Sequence, residues 1–250
     1  MNRLVLGQGT KAVLLDDVAE PHVRLRPESR PVIDVRPADQ TVTVDAGIGI
    51  DELQDELRRH GQALPIPSEE FGPLLRGVPG TVGGLIGMNL PHGLYAQCGG
   101  IKDWLLHTET IFRGEKAKSG AKVVKSVAGY DAHKLYVGAR GTLGPVVTAT
   151  LRTWPLRALP EVSAAQVRAW DGGPFWVVRT LRGLYDRAME SMPGVLAFDR
   201  PSCTLWTESE PPRPTEGWVL GPAGHRWPEP SSPRLLARLK AVFDPEGEWR

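Results

Sequence analysis

Pro79-Gly80-Thr81-Val82-Gly83-Gly84-Leu85-Ile86-Gly87-Met88-Asn89 puts four glycines into eight consecutive positions and carries them into an apolar run. Glycine costs backbone entropy, so this density implies a need for positive φ or for contact without a side chain. A Gly-rich segment entering a helix turns successive N–H groups toward an anion, and the helix dipole adds to the attraction. Two readings follow from these residues: a diphosphate cradle, or close packing of a helix on a strand.

Two further segments share this chemistry. Gly7-Gln8-Gly9-Thr10-Lys11 lies between strands expected at Arg3–Leu6 and Ala12–Leu15. It is not GxGxxG, and no Rossmann helix follows it. Gly7 and Gly9 let the backbone approach an anion, Thr10 adds a hydroxyl donor and Lys11 a charge; a plain hairpin turn is the alternative. The third segment is Lys125-Ser126-Val127-Ala128-Gly129-Tyr130-Asp131 with Gly141-Thr142-Leu143-Gly144, which leads into a strand from Pro145. Backbone atoms at such a strand edge can hydrogen-bond a flat heterocycle, or the glycines simply make a turn. Three Gly/Thr loops and no nucleophile motif describe a large phosphorylated ligand held mostly by backbone. That is a dinucleotide site outside the Rossmann class.

The chain has 250 residues, 41% hydrophobic and 24% charged, with a net charge of +1, which fits one large or two modest globular domains. The balanced charge argues against nucleic-acid binding. No apolar run reaches about 18 residues, so no transmembrane helix is expected. The start at Met1–Leu15 lacks a signal-peptide pattern. Cys98 and Cys203 form no CxxC, which argues against a disulfide framework or a zinc site and favours a reducing, cytoplasmic setting. Six histidines include no metal-ligand spacing, so no bound metal is expected. His92, just after the Gly-rich segment, is the one to test as a proton-transfer group, although a plain loop role is commoner.

The fold class is α+β. Val32–Val35 and Thr41–Asp45 alternate as strands around Pro37-Ala38-Asp39. A helix is expected at Glu52–His60, with Asp51 as N-cap, Leu53 and Leu57 on its buried face and Gly61 as its stop. Leu105–Phe112 and Lys122–Val124 read as strands paired around Arg113-Gly114, Asp131–Val137 as a short helix, and Val146–Thr153 as a closing strand. Composition shifts near residue 155: residues 1–150 hold 20 of 28 Gly and one Trp, while 151–250 hold seven Trp and 13 of 23 Pro. This gives two domains, 1–155 and a shorter, irregular 156–250. Pro211–Pro233 is expected as an extended surface loop. The Trp-rich C-terminal part is read as a subunit interface, with the core of a small cap domain as the alternative.

In order and spacing, the three loops resemble the FAD-binding domain of the vanillyl-alcohol-oxidase/p-cresol-methylhydroxylase type. The run from Val123 through Gly129-Tyr130-Asp131 to Gly141-Thr142-Leu143-Gly144 is similar, more narrowly, to the E subunits of bacterial glycolate oxidases. The resemblance covers about residues 4–155 and returns at Leu239–Gly247. It implies non-covalent FAD, with the diphosphate held by Gly7, Gly9, Thr10 and Lys11 and by Pro79, Gly80, Thr81, Val82, Gly83 and Gly84. It implies that Gly144, Val146 and Val147 lie beside the cofactor through backbone atoms. Asn89 and Asp103 fall where the family keeps polar residues. Tyr130 and Asp131 either orient the ligand or start a helix with Asp131 as N-cap.

The implied activity is two-electron oxidation of glycolate, or a similar small 2-hydroxy acid, to the 2-oxo acid. The implied partners are a larger homologous flavin subunit and an electron-transfer subunit, with any membrane association through them. Two departures are visible. The family's strand–helix unit before the first Gly loop is expected to be truncated, and the closing Asn-Pro-Gly-Arg is absent. They keep open a second function: a flavin-free accessory subunit that docks a longer catalytic one.

Overall fold

The computed structural model describes residues 4–6, 22–24, 32–113, 115–124, 131–212, 217–222, 226–227, 233–247 and 249. The loop Gly7–Lys11, the strand expected at Ala12–Leu15 and the stretch Lys125–Tyr130 lie outside these residues. In chain order the elements are β1 (Leu4–Leu6), β2 (His22–Arg24), β3 (Val32–Arg36), β4 (Thr41–Asp45), α1 (Ile50–Arg59), β5 (Gln62–Ala63), α2 (Val82–Met88), α3 (Tyr95–Cys98), α4 (Ile101–Trp104), β6 (Leu105–Phe112) and β7 (Glu115–Gly120). There follow β8 (Val146–Arg152), β9 (Trp154–Pro155), β10 (Ala165–Gln166), β11 (Trp176–Thr180), α5 (Tyr185–Ser191), β12 (Val195–Asp199), β13 (Thr204–Thr207), β14 (Gly217–Leu220), β15 (Arg226–Trp227) and α6 (Pro233–Phe243).

The first large sheet is antiparallel, in the order β3-β4-β8-β6-β7. Its apolar face, with Val42, Val44, Ala149 and Leu151, closes against α1 and α2 through Ile48, Leu53, Leu57, Val82 and Ile86. Trp104 is fully buried in the same core. Leu53 and Leu57 form the inner face of α1 as their spacing predicts, and Gly61 ends the helix with φ near 67°. The start of α1 differs from expectation. Its N-cap is Gly49, not Asp51; Asp51 sits in the first turn and pairs with Arg76 instead. Starting the helix two residues earlier buries Ile50.

Two strand expectations are also corrected. The partner of β6 is β7, with Phe112 opposite Glu115 and His107 opposite Gly120, and Lys122–Val124 forms no strand. The β-branched pair Val123-Val124 suggested a strand, whereas the real edge strand is polar and Lys-rich, a composition that blunts an open sheet edge. The helix expected at Asp131–Val137 is a 3-10 turn, Ala132–Tyr136, and Asp131 flanks it without a side-chain cap bond.

The C-terminal part is ordered rather than irregular. It forms a six-stranded antiparallel sheet, β10-β12-β13-β11-β14-β15. Both faces of this sheet are covered. Val177 and Trp206 meet Leu74, Leu75, Val78, Met88 and Leu90 on one side, while Val178, Leu205 and Val219 meet Tyr185 on the other. The stretch Pro211–Pro233 is therefore not a simple loop. It contains β14, which lies between β11 and β15, because its prolines flank residues 217–220 without interrupting them. All eight Trp side chains are buried or partly buried, and seven of them, Trp249 apart, pack in the internal cores. α6 returns to the first core, where the Phe243 ring meets Phe112 and Tyr136 edge-on at 5.6 and 5.9 Å.

Gln54, on the buried side of α1, holds the chain that leaves the helix. Its amide nitrogen donates to Leu64 O at 3.1 Å, and its amide oxygen accepts from Leu64 N–H at 2.8 Å. Gln54→Leu would leave Leu64 N–H buried and unpaired and Leu64 O with only the Ile66 N–H at 2.8 Å. At roughly 1–3 kcal/mol for one unsatisfied group, we expect a loss of about that size in denaturant unfolding. A loss no larger than that of an exposed substitution such as Glu52→Leu would show that the bonds are replaced by water.

Candidate functional site

α1 and α2 begin at the same place. Their N-caps, Gly49 and Thr81, face each other as an isolated antiparallel bridge. Around it Ile50 N–H donates to Gly80 O at 2.8 Å, Val82 N–H to Ile48 O at 3.1 Å, and Gly83 N–H to Ala46 O at 2.7 Å. A Cβ on Gly83 would come within 3.2 Å of Ala46 O, so the missing side chain at Gly83 lets the helix seat on the turn Ala46–Gly49. Gly84 N–H is taken by the Thr81 hydroxyl at 3.1 Å, an N-cap bond.

The donors of Val82, Gly83 and Gly84 are thus committed within the protein. Those of Gly80 and Thr81 are not: among the described residues neither N–H has a partner, although both residues are buried. Buried main-chain N–H groups are almost always paired, so this pair is open to an acceptor from outside the described residues. The positions of α2 that are not buried are Gly83, Gly84 and Gly87, which gives the helix a face free of side chains. Pro79 is the partly buried link into the motif. It follows Val78, whose φ of 51° is strained for a β-branched residue.

The other end of α2 carries the second glycine turn. Gly138 N–H donates to Ile86 O at 3.0 Å and Arg140 N–H to Gly87 O at 2.9 Å. Gly144, with φ near 105°, lies so close to Ile111 O that a Cβ would be 3.0 Å from it. Val146 is buried in the first core, and Val147 O accepts from Ala46 N–H at 2.8 Å. The structure thus joins Gly80–Gly84 to Gly144–Val147 through one shared turn, Ala46–Gly49. Sequence reading did not single out that turn, although its two glycines between a strand and a helix were a visible signal.

The polar residues near this site have local partners. Asn89 is the left-handed C-cap of α2 and is exposed. The Asp103 carboxylate accepts Gly100 N–H at 2.9 Å and so caps its own short helix, α4. Lys134 closes the other end of α4 by donating to Leu105 O at 2.6 Å and to Lys102 O.

His92 is not built as a proton carrier. It is fully buried; Nδ1 accepts from Leu94 N–H at 3.2 Å and Nε2 reaches Gly99 O at 3.0 Å. An accepting Nδ1 leaves the proton on Nε2, so the neutral ring is a two-ended staple of the turn, packed edge-on against Trp104 at 4.9 Å.

Arg179 was not selected from the sequence. It stands on β11, its guanidinium 4.7 Å from the Tyr95 ring centre, with Nε donating to Ser202 O at 3.1 Å. Among the described residues, no hydrogen-bond partner is present for Nη1 or Nη2.

Residues 2–118 match the family described as FAD binding domain. The N-terminal half of the chain is an FAD-binding domain of the p-cresol-methylhydroxylase type. Its cofactor is FAD. The acceptorless N–H pair and the bare face of α2 suit a diphosphate, which brings several acceptor oxygens and tolerates close main-chain approach. The chain is similar to several curated proteins. The mitochondrial D-lactate dehydrogenase [cytochrome] of Arabidopsis thaliana is 31% identical over 130 residues, covering 52% of this chain and 21% of that one. Glycolate oxidase subunit GlcE of Escherichia coli (strain K12) is 27% identical over 153 residues, covering 61% and 42%. The D-lactate dehydrogenase of Archaeoglobus fulgidus is 29% identical over 158 residues, covering 62% and 34%. The matched region thus spans less than half the length of each of these relatives. Among the described residues, no helix is long and apolar enough to cross a membrane.

Burial lowers the His92 pKa from 6.5 to about 4, against a smaller opposing effect of the Gly99 bond. The folded-state pKa is depressed, so between these values the unfolded chain binds the extra proton. Stability is complete above about pH 6.5 and falls as the pH drops toward about 4, by roughly 3 kcal/mol. His92→Gln, which keeps a donor for Gly99, should lack that slope in denaturant titrations. Parallel pH profiles for the two proteins would rule out His92 as the source.

Proposed function

We propose that the chain is the FAD-binding subunit of a 2-hydroxy-acid oxidoreductase, with glycolate as substrate and glyoxylate as product. The observation that supports it is the buried, acceptorless N–H pair of Gly80 and Thr81, joined through Ala46–Gly49 to the Gly144–Val147 strand edge within an FAD-binding domain. Glycolate, D-lactate and D-2-hydroxyglutarate, named among the curated relatives, share a carboxylate beside a hydroxyl-bearing carbon.

FAD, when bound, supplies the two-electron acceptor for that carbon. In this reading Gly80 and Thr81, with Gly7, Gly9, Thr10 and Lys11, hold the diphosphate, and the main chain of Gly144–Val147 lines the ring system. Asn89 and Asp103 act indirectly, by fixing the ends of α2 and α4. Residues 1–155 hold the cofactor and 156–250 cap it. Arg179, on the cap's sheet, is the cation we assign to the substrate carboxylate, because its two outer nitrogens match a carboxylate's two oxygens. A larger flavin subunit and an electron-transfer subunit would complete a cytoplasmic assembly. The second reading, a flavin-free docking subunit, is favoured by the commitment of Val82, Gly83 and Gly84 N–H to internal bonds.

The purified protein, alone and co-expressed with candidate partner subunits, is expected to bind FAD in a fluorescence titration and show flavin absorbance that glycolate bleaches anaerobically. A colourless protein that FAD neither binds nor stabilises in either preparation selects the docking reading. Bleaching by D-lactate or D-2-hydroxyglutarate but not by glycolate would move the substrate within the class. In the loaded protein, Arg179→Met should raise KM about 10- to 100-fold, the scale of a lost charge-assisted bond, and leave FAD affinity unchanged. An unchanged KM would remove Arg179 from the substrate site.

A further inference from the structure

α6 is largely exposed, yet near its C-terminal end it is fixed to the fold by the Phe243 ring and by one ammonium group, that of Lys240. Lys240 Nζ donates to Thr142 O at 2.7 Å, to Asp244 Oδ2 at 2.6 Å and to Trp249 O. An ammonium has three donors, and all three are used. Asp244 is buried, and its Oδ2 also accepts Trp249 N–H at 2.9 Å. Trp249 is itself buried, and a Cβ on Gly144 would lie 3.5 Å from its indole nitrogen. One side chain therefore binds the end of the chain to a turn 98 residues earlier.

The turn it grips needs an external hold. Arg140, Gly141 and Gly144 all have positive φ, and within the turn Thr142 N–H reaches only back to Ala139 O and Gly144 N–H to Gly141 O. Such tight local bonds close a turn but do not fix its direction relative to α2. Arg140 N–H anchors one side of it, on Gly87 O; Lys240 anchors the other, on Thr142 O.

We infer that Lys240, backed by Asp244 and Trp249, is a positioning residue for the cofactor: through Thr142 O and the cover over Gly144 it sets the direction in which the Gly141–Gly144 turn presents its main chain. This rests on the reading that Gly144–Val147 lines the flavin. The ammonium makes no contact with the ligand in this arrangement; it acts through the carbonyl it holds. Cofactor binding thereby becomes sensitive to the docking of α6, an element outside the FAD-binding domain.

The full-length chain tests this, with Lys240→Met, Lys240→Arg and Trp249→Ala compared with the parent. Lys240→Met is expected to weaken FAD binding at least about tenfold, the scale of a charged hydrogen bond. It should shift the visible bands of bound flavin and speed amide exchange at 141–147 in the apoprotein. Lys240→Arg, which keeps a cation and several donors, should restore the spectrum and most of the affinity. Trp249→Ala leaves the Lys240–Asp244 pair intact and reads the same turn if Lys240→Met does not fold; it too should weaken FAD binding and speed exchange at 141–147. A folded Lys240→Met, or in its place a folded Trp249→Ala, with parental affinity, spectrum and exchange overturns the inference while leaving the cofactor reading in place. A parent chain that does not bind FAD, alone or with partners, overturns the cofactor reading and this inference together.

Discussion

At one place the main chain of a helix presses directly onto the main chain of a turn: Gly83 N–H meets Ala46 O at 2.7 Å with no side chain between them. The spacing of everything nearby follows from that approach. It lets Val82 and Ile86 reach the first core, aligns the N-caps Gly49 and Thr81 as a bridge, and leaves Gly80 and Thr81 N–H out of the hydrogen bonds that make the contact. A side chain at Gly83 would force the neighbouring carbonyl to shift and open the junction. The glycine motif therefore serves packing at some positions and remains available to a ligand at others. The two readings of the sequence divide along the segment; they do not compete for the whole of it.

Where apolar and polar residues alternate in a run rich in β-branched side chains, a strand is visible, and β3 and β4 were legible for that reason. β7 was not, because Glu115–Gly120 carries no apolar period; it is an edge strand held by β6 alone. The C-terminal sheet was hidden for a different reason. Both of its faces are covered, so Trp176-Val177-Val178 and Thr204-Leu205-Trp206 are short apolar runs without alternation, and the prolines of Pro211–Pro233 argued against β14. The start of α1 was misplaced because Asp is a good N-cap in isolation, while the bridge to Thr81 made Gly49 the boundary.

The site was partly legible for the same physical reasons. Clustered glycines are visible in sequence, and the clusters at 80–84 and 141–144 are joined through α2 and the turn Ala46–Gly49. What sequence could not supply was the geometry between them, which depends on carbonyls that any residue carries: Ala46 O, Ile86 O, Gly87 O and Val147 O. Nor could it separate His92 from a catalytic histidine, since the difference lies in Leu94 N–H and Gly99 O occupying both ring nitrogens.

α2 is only seven residues long, and its two ends do different work. At its start, the N–H groups of the N-cap and of the residue before it have no acceptor among the described residues. At its finish, the carbonyls of Ile86 and Gly87, which a helix end leaves unpaired, are taken by Gly138 and Arg140. A short rigid element thereby sets the separation between two glycine turns that lie some sixty residues apart in sequence. Because that helix is itself seated through a contact without side chains, a disturbance at Ala46–Gly49 would reach both turns at once. A cofactor that spans them would register it as a change in affinity without any change in the residues it touches.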